Sequence, residues 1–461
     1  QQISLNLGDT DYAIRGQITA QNVDITARNI YNTGNVTALD FIKLNATGNA
    51  SDGQGNFTNG ILNTNNINVV LSAGTYVDII ANGVLTNYGT ISAEGDLSLT
   101  SNLKQINNYG AITGGNGLMS LTANKYNVGQ ITNFNGAKIT SNNDANLSAV
   151  VVTNYGEIST ARDLTINTSN NLNNLNGAIT YSGRDLVFNV SNILTNSFST
   201  IYAERNLTLQ KNNSTNAAQN KMNSLQNISG NIETYAGDVN IKAVTFENKR
   251  ASIYTQNVVW WEDACGKLAH EWHCALHENA SYTGSLTNES LISAGRDISI
   301  QSSTQINNSS SVIAARNINL NISQLDNVTN YFRSYDKYEP RERWWRQNDR
   351  QATLDSLPFL NLVELYIPAY IKSGGSLTIT QNGNNVSSSI INGSNVTQYF
   401  GVQTANQRLA NITVNSVETY VLAQTGEVDV DLSGIEAAIN NFSAQSSSSS
   451  FTQNQQISSV D

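Results

Sequence analysis

The chain has 461 residues, a net charge of −10 and only 13% charged residues. Typical soluble domains carry about 25%, so amides and hydroxyls must keep this surface in water, and 69 residues are Asn. The acidic balance argues against a nucleic-acid partner, which calls for a basic face, and no apolar run of about 18 residues is present to span a bilayer.

The N-terminus, Gln1-Gln2-Ile3, has neither the basic nor the apolar region of a signal peptide. The expectation is a processed chain or an excised segment. Over residues 1–75 apolar and polar residues alternate (Val23, Ile25; Phe41, Ile42, Leu44), which predicts irregular coils of strand. Over 76–246 a unit of about 21 residues recurs, the scale of a solenoid repeat. It reads Asn-x-Gly-x-Ile, a turn, then Leu-x-Leu. Examples are Asn87-Tyr88-Gly89-Thr90-Ile91 with Leu97 and Leu99, and Asn108 to Ile112 with Leu118 to Leu121. Asn154 to Ile158 with Leu164 and Ile166, and Asn176-Gly177-Ala178-Ile179 with Leu186, follow. The period of two inside each unit means strands, and Asn, Gly and Thr are poor in helix interiors. Three short strands and three turns per unit predict an all-β, right-handed parallel β-helix. At about 4.8 Å per coil, roughly 15 coils make a rod about 70 Å long. The Asn-rich composition suits stacked Asn ladders, which need a regular repeat. Arg162-Asp163, Arg184-Asp185 and Arg296-Asp297 recur at one turn and read as structural. Gly114 to Gly117 is a turn, since no helix with Lys-Ser/Thr follows it as in a phosphate loop.

The repeat then breaks twice. The first insertion is placed at 247–281 and holds Trp260, Trp261, Trp272, both Cys and all three His. Gly266 to His277 has Leu and Ala at helical spacing and predicts a short helix. For Cys265 and Cys274 a disulfide is the first reading, worth about 2–3 kcal/mol for so short a loop. Zinc on His270, His273, Cys274 and His277 is the weaker alternative, since these would share one helix face. His270-Glu271-Trp272-His273 is one residue short of a metalloprotease motif. Repeats return over 282–325. The second insertion, 326–368, mixes basic and aromatic residues: Tyr331, Phe332, Arg333, Tyr335, Tyr338, Arg341, Arg343, Trp344, Trp345 and Arg346. Such residues are common interface anchors. Its apolar second half, Leu354 to Ile367, predicts a cover or short helix on the rod. Terminal coils are expected over 369–442, and a flexible low-complexity tail over 443–461.

The phrases Ile292-Ser293-Ala294-Gly295-Arg296-Asp297-Ile298 and Ile371 to Leu377 resemble the repeats of filamentous haemagglutinin-type exoproteins, exported by two-partner secretion. The resemblance covers roughly residues 80–400, and is greatest to the repeat region of contact-dependent growth inhibition effectors. No Pro precedes Pro340, so the Asn-Pro motifs of that family's secretion domain are missing, and the tail resembles no toxin. This implies an internal filament segment on a Gram-negative surface, exported through an outer-membrane transporter. The expected role is recognition: a lateral patch from the Trp, Tyr, Phe and Arg residues above binds an outer-membrane protein or glycan on a target bacterium. A host receptor bound by an adhesin, or a bare stalk, are the alternatives. β-Helical polysaccharide lyases need clustered carboxylates, and the acids here are sparse, so no enzyme is expected. No cofactor is expected, and the chain is expected to be a monomer.

Overall fold

Inward apolar and outward polar residues alternate along nearly every strand, which forces each coil to close around its own interior. The computed structural model describes residues 1–48, 62–64, 68–123, 128–211, 220–262, 266–268, 271–273, 275–322, 324–339, 354–373, 375, 377–381, 389–394, 405–408 and 412–414. They form a parallel β-helix. Each coil gives one strand to each of three parallel sheets. Thr90–Ala93 pairs with Ala111–Gly114, which pairs with Lys138–Ser141. Asp96–Ser101 pairs with Met119–Ala123, which pairs with Ala145–Ala149. Gln105–Asn108 pairs with Gln130–Asn133, which pairs with Val151–Asn154.

These registers stack like on like. Ile91, Ile112, Ile139 and Ile158 form one interior file. Leu99, Leu121, Leu147, Ile166 and Phe188 form another. All are essentially inaccessible to water. Each such side chain contributes about 1.5–3 kcal/mol on burial. The first residues already stack in parallel: Gln2–Asn6 pairs with the second half of Gln17–Ala27, and that with Asn35–Ala46, with a register shift between Ala20 and Asn22. At the other end the parallel order stops. Ala405–Arg408 and Ile412–Val414 pair antiparallel with Ser389–Ser394 and Leu377–Gln381, so residues 369–442 are not all coils. The expected tail, 443–461, lies outside the described residues.

One corner of the rod carries a file of buried asparagines from Asn87 to Asn327, through Asn108, Asn133, Asn154, Asn174, Asn196, Asn227, Asn248 and Asn308. Each Nδ2 donates to the Oδ1 of the next Asn at 2.8–3.0 Å. It also donates to a backbone carbonyl of the next coil, as from Asn108 to Lys138 O at 2.9 Å. An amide has two donor and two acceptor sites, so it satisfies a turn that water cannot reach. The file passes from Asn248 to Asn308 at 2.8 Å, across 60 residues of sequence. The rod is therefore continuous beneath the first insertion.

A second, exposed file follows another corner. Arg184 pairs with Asp163, Arg205 with Asp185, Arg296 with Asp238 and Arg316 with Asp297, each reaching to the coil before. Asp163, Asp185 and Asp238 also accept a backbone amide of the next coil, from Asp185, Asn206 and Asp297, at 3.1–3.2 Å. Exposed pairs of this kind add little each. Their work is to hold the turn.

One register differs from the sequence reading. Thr180, not Ile179, lies under Ile158, and Asn174, not Asn176, stands in the amide file. Asn176 (φ 58°) and Gly177 (φ 87°) make a left-handed turn that lengthens the corner. Ile179 is left 46% exposed, while Thr180 is buried and donates to Asn174 Oδ1 at 3.0 Å. Replacing Ile179 with Ser is expected to change stability by less than about 0.5 kcal/mol, while Ile201→Ser costs about 3 kcal/mol or more. Urea unfolding of the two variants checks the register.

Glu233 lies half-buried on the wall between Tyr202 and Ser293, and burial raises its pKa. Burial first, then Glu204, with Tyr181 and Glu233 after it, holds the Tyr202 hydroxyl up at about 12. A carboxyl whose folded pKa lies above its unfolded one destabilises the fold once ionised. The cost grows as pH rises through the unfolded value and is complete above the folded value. Glu233→Gln is therefore expected to melt higher than the parent at pH 7.5 and level with it at pH 4, by calorimetry at both pH values.

Candidate functional site

Both insertions leave the same corner of the rod, between an Asn-bearing strand and the strand after it. The first departs after Val239–Lys249 and returns at Leu291–Ala294. The second departs from Gln324–Glu339 and returns at Tyr370–Ser373. One tight turn, with Ser310 at φ 47°, separates the two exits. Side chains stitch the roots together. Arg250 donates to Ser310 O at 2.8 Å and to Thr287 O, and pairs with Glu289 at 3.2 Å. Ser310 Oγ donates to Ile367 O at 2.6 Å and accepts from Asn330 Nδ2 at 2.7 Å.

Beyond the roots the insertions merge. Thr255–Glu262 and Leu276–Thr283 form an antiparallel hairpin. The strand Gln324–Glu339 begins inside the rod, paired with residues 305–309, and runs outward without a break. Its outer half pairs antiparallel with Leu276–Thr283 on one side and with Leu360–Ile367 on the other. The result is a four-stranded antiparallel side sheet sharing one continuous strand with the rod, so no hinge lies at the exit.

The helix expected over Gly266 to His277 is absent. Gly266–Leu268 pairs antiparallel with Glu271–His273, and Leu276 onward is strand. Pairing between strands overrode a local helical spacing of Leu and Ala. The segment expected to cover the rod as a helix is a single helical turn at 354–356 followed by the strand Leu360–Ile367.

One face of the side sheet is closed. Glu278 from the first insertion and Lys337 from the second are both about 6% exposed, with Nζ and Oε1 3.4 Å apart. Tyr335 donates to Glu278 Oε1 at 2.9 Å, and Lys337 donates to Leu354 O at 2.9 Å. Phe359 lies over this cluster, 4.7 Å from Lys337 Nζ and edge-on to Tyr335. Burial, and then the Glu278 carboxylate, push the Tyr335 hydroxyl up. Nearer the rod, Arg333 pairs with Glu364 at 2.8 Å, and Tyr331 hydrogen-bonds the same carboxylate. Burial, then Glu364, push the Tyr331 hydroxyl up as well.

The other face is open. Trp261, His277 and Tyr338 stand opposite one another on three adjacent strands. Trp261 stacks on His277 (4.8 Å, 2°), and His277 meets Tyr338 at 4.9 Å. In the next row Asn279 donates to Asp336 at 2.8 Å, and Asn361 donates to it at 3.1 Å. These two bonds, Asn279 first, hold the Asp336 carboxyl below its usual range. Around this polar strip Val259, Trp261, Tyr338, Leu360 and Val363 are 43–56% exposed.

The residues expected to bind a receptor therefore divide. Trp260, Trp261 and Tyr338 are exposed on the side sheet. Tyr331, Phe332 and Tyr335 are 4–5% exposed and hold the sheet together instead. Arg333 is committed to Glu364 and Tyr331. Trp272 lies in the strand Glu271–His273. Arg341, Arg343, Trp344, Trp345 and Arg346 lie outside the described residues, as do Cys265, Cys274 and His270, and with them the disulfide and zinc readings. His277 is packed between two rings, and among the described residues no group of three or more His, Cys, Asp or Glu gathers to hold a metal. The sequence reading missed Val259, Asn279, Asp336, Leu360 and Val363. Its available signal was the apolar run from Leu357 to Leu365, which outnumbers what a cover strand needs. Comparison with known proteins gives no matching family model, no matching curated protein and no matching solved structure.

Proposed function

We propose that the chain is a surface-exposed filament segment of a bacterial exoprotein, in which the rod supplies reach and the side sheet is a receptor-binding patch. The observation that carries this reading is the joining of two insertions, whose exits lie two coils apart, into a single sheet with an aromatic and aliphatic open face. A sheet needed only to cover the rod would turn its apolar residues inward. Exposed apolar clusters mark interaction sites, and here one surrounds the polar strip of Asn279 and Asp336. Loops held on rigid scaffolds commonly carry function. The resemblance to contact-dependent growth inhibition effectors makes an outer-membrane protein or glycan of a target bacterium the expected receptor. The rod's interior is apolar apart from its amide file and buried hydroxyls such as Ser101, Thr160 and Ser182, and recognition rather than catalysis is the proposed role.

The test is binding of the labelled chain to Gram-negative cells and to host epithelial cells by flow cytometry, beside a Trp261→Ala/Tyr338→Ala variant. Saturable binding to bacteria, weakened at least about tenfold in the variant, is the expected result. Binding confined to host cells would move the receptor to the host. Absence of binding to both by a folded chain would leave the rod as a stalk and overturn the proposal.

A further inference from the structure

The side sheet has two edges, and they are built differently. Leu360–Ile367 is blunted. Pro358 and Pro368 flank it in sequence, Asn361 has φ 53°, and its register against Gln324–Glu339 shifts between Ser334 and Asp336. Bulges and prolines are the ordinary means of stopping an edge from pairing further. Thr255–Glu262 has none of them. Its eight residues keep unbroken register with Leu276–Thr283, it contains no Pro, Lys or Arg, and among the described residues it pairs on that side alone. Trp260 and Trp261 lie opposite Glu278 and His277, so they project to opposite faces of this edge, at 49% and 43% exposure.

We propose that Thr255–Glu262 is a docking edge that accepts an extended, neutral-to-basic peptide strand of a partner protein, by strand addition. This rests on the recognition reading above and names the chemistry of its partner. Main-chain hydrogen bonds along the edge supply affinity, and side chains of the added strand pack against Trp260 on one face and Trp261 on the other. Charge selects the partner. The strand's sole ionisable residue is Glu262, Asp336 and Glu339 lie farther across the sheet, and the chain carries −10 overall. A peptide with Lys or Arg flanking its apolar residues is drawn to this edge, and an acidic one is repelled.

The test uses the full chain and a capped nine-residue peptide of alternating Val and Thr with Lys at both ends, followed by fluorescence anisotropy and hydrogen exchange. The expected result is saturable binding, with slowed exchange confined to residues 255–262. Binding should weaken at least tenfold when alternate peptide nitrogens are methylated, and again when the end residues are Glu. Successive amides of a strand point to opposite sides, so one of Val258 and Val259 directs its N–H outward. Of Val258→Pro and Val259→Pro, the variant that keeps the parent's melting temperature marks that position. It should lose the peptide at least tenfold. Undiminished binding of the methylated peptide, or protection that appears on residues 360–367 instead, would overturn the proposal. The same Pro variant separates the two readings on cells. If it binds target bacteria like the parent while Trp261→Ala/Tyr338→Ala does not, recognition stands and strand addition falls, with a glycan stacked on the rings as the explanation. If it loses the cells together with the peptide, the edge is the contact.

Discussion

Replacing Asn174 with Val is expected to destabilise the rod by about 3 kcal/mol, while Asn173→Val stays within about 0.5 kcal/mol. Asn174 sits in the amide file with no exposed surface. Its Nδ2 donates to Asn196 Oδ1 at 2.9 Å and to Thr200 O at 3.0 Å. Its Oδ1 accepts from Asn154 at 3.0 Å and from Thr180 at 3.0 Å. Val fills the volume but satisfies none of these four groups, and each buried orphan costs about 1–3 kcal/mol. The total stays near the low end because Asn154 keeps its bond to Ile179 O at 3.0 Å. Asn173, one residue earlier, faces outward and makes a single 3.4 Å contact to Thr153. The two variants therefore share composition and propensity changes and differ in burial and in the hydrogen bonds removed. Urea unfolding gives the difference. Hydrogen exchange should place the loss in the coils around residues 154–200, since a solenoid's coils communicate with their neighbours. Equal losses for the two variants would mean that the file follows from the register without supporting it.

The same asparagines show what the sequence could and could not tell. Asn87, Asn108 and Asn154 stand at the start of a visible motif, and all three are in the file. Asn176 also begins such a motif, but its corner is longer, so Asn174 takes the interior place. Period-two patterns give the face of each strand, yet a corner of variable length resets which residue comes next. That information lies in the turn's backbone and not in the motif. The side sheet was less legible still. His277 faces Tyr338 and Glu278 faces Lys337 across about 60 residues of chain. Nothing local announces such pairing, and the local signal over Gly266 to His277 pointed to helix. Composition did locate the insertions, because Trp, His, Cys and Pro gather there. It could not divide the aromatic residues between inside and outside. Tyr331 and Tyr335 alternate with Ser334 and Asp336 as Tyr338 alternates with Lys337, and the buried face is the one that carries Arg333, Tyr335 and Lys337. Arg333 and Lys337 thus lie on the inner face while Trp261 and Tyr338 lie on the outer one, against the usual pattern.

That inversion leads to the second large effect. Lys337→Met is expected to cost about 3–5 kcal/mol, confined to the side sheet, with the rod unchanged. Glu278 is buried and has its cation from the other insertion. Removing Lys337 leaves a desolvated carboxylate whose remaining partner is the Tyr335 hydroxyl. The strain falls on the seam between Leu276–Thr283 and the outer half of Gln324–Glu339, the pairing that makes two insertions one sheet. Amide exchange should accelerate at residues 276–280 and 335–339, and Trp fluorescence should shift, while the coils from Asn87 to Asn248 keep their protection. The double variant Lys337→Met/Glu278→Gln removes the charge and keeps an acceptor for Tyr335, so it should recover most of the loss. It should also recover cell binding, because the open face with Trp261 and Tyr338 is untouched. A single variant no more disruptive than Lys138→Met, which cuts an exposed pair to Glu157, would show that the seam holds without its buried charges. The patch would then depend on backbone pairing alone, and its rigidity would come from the strand that runs unbroken out of the rod.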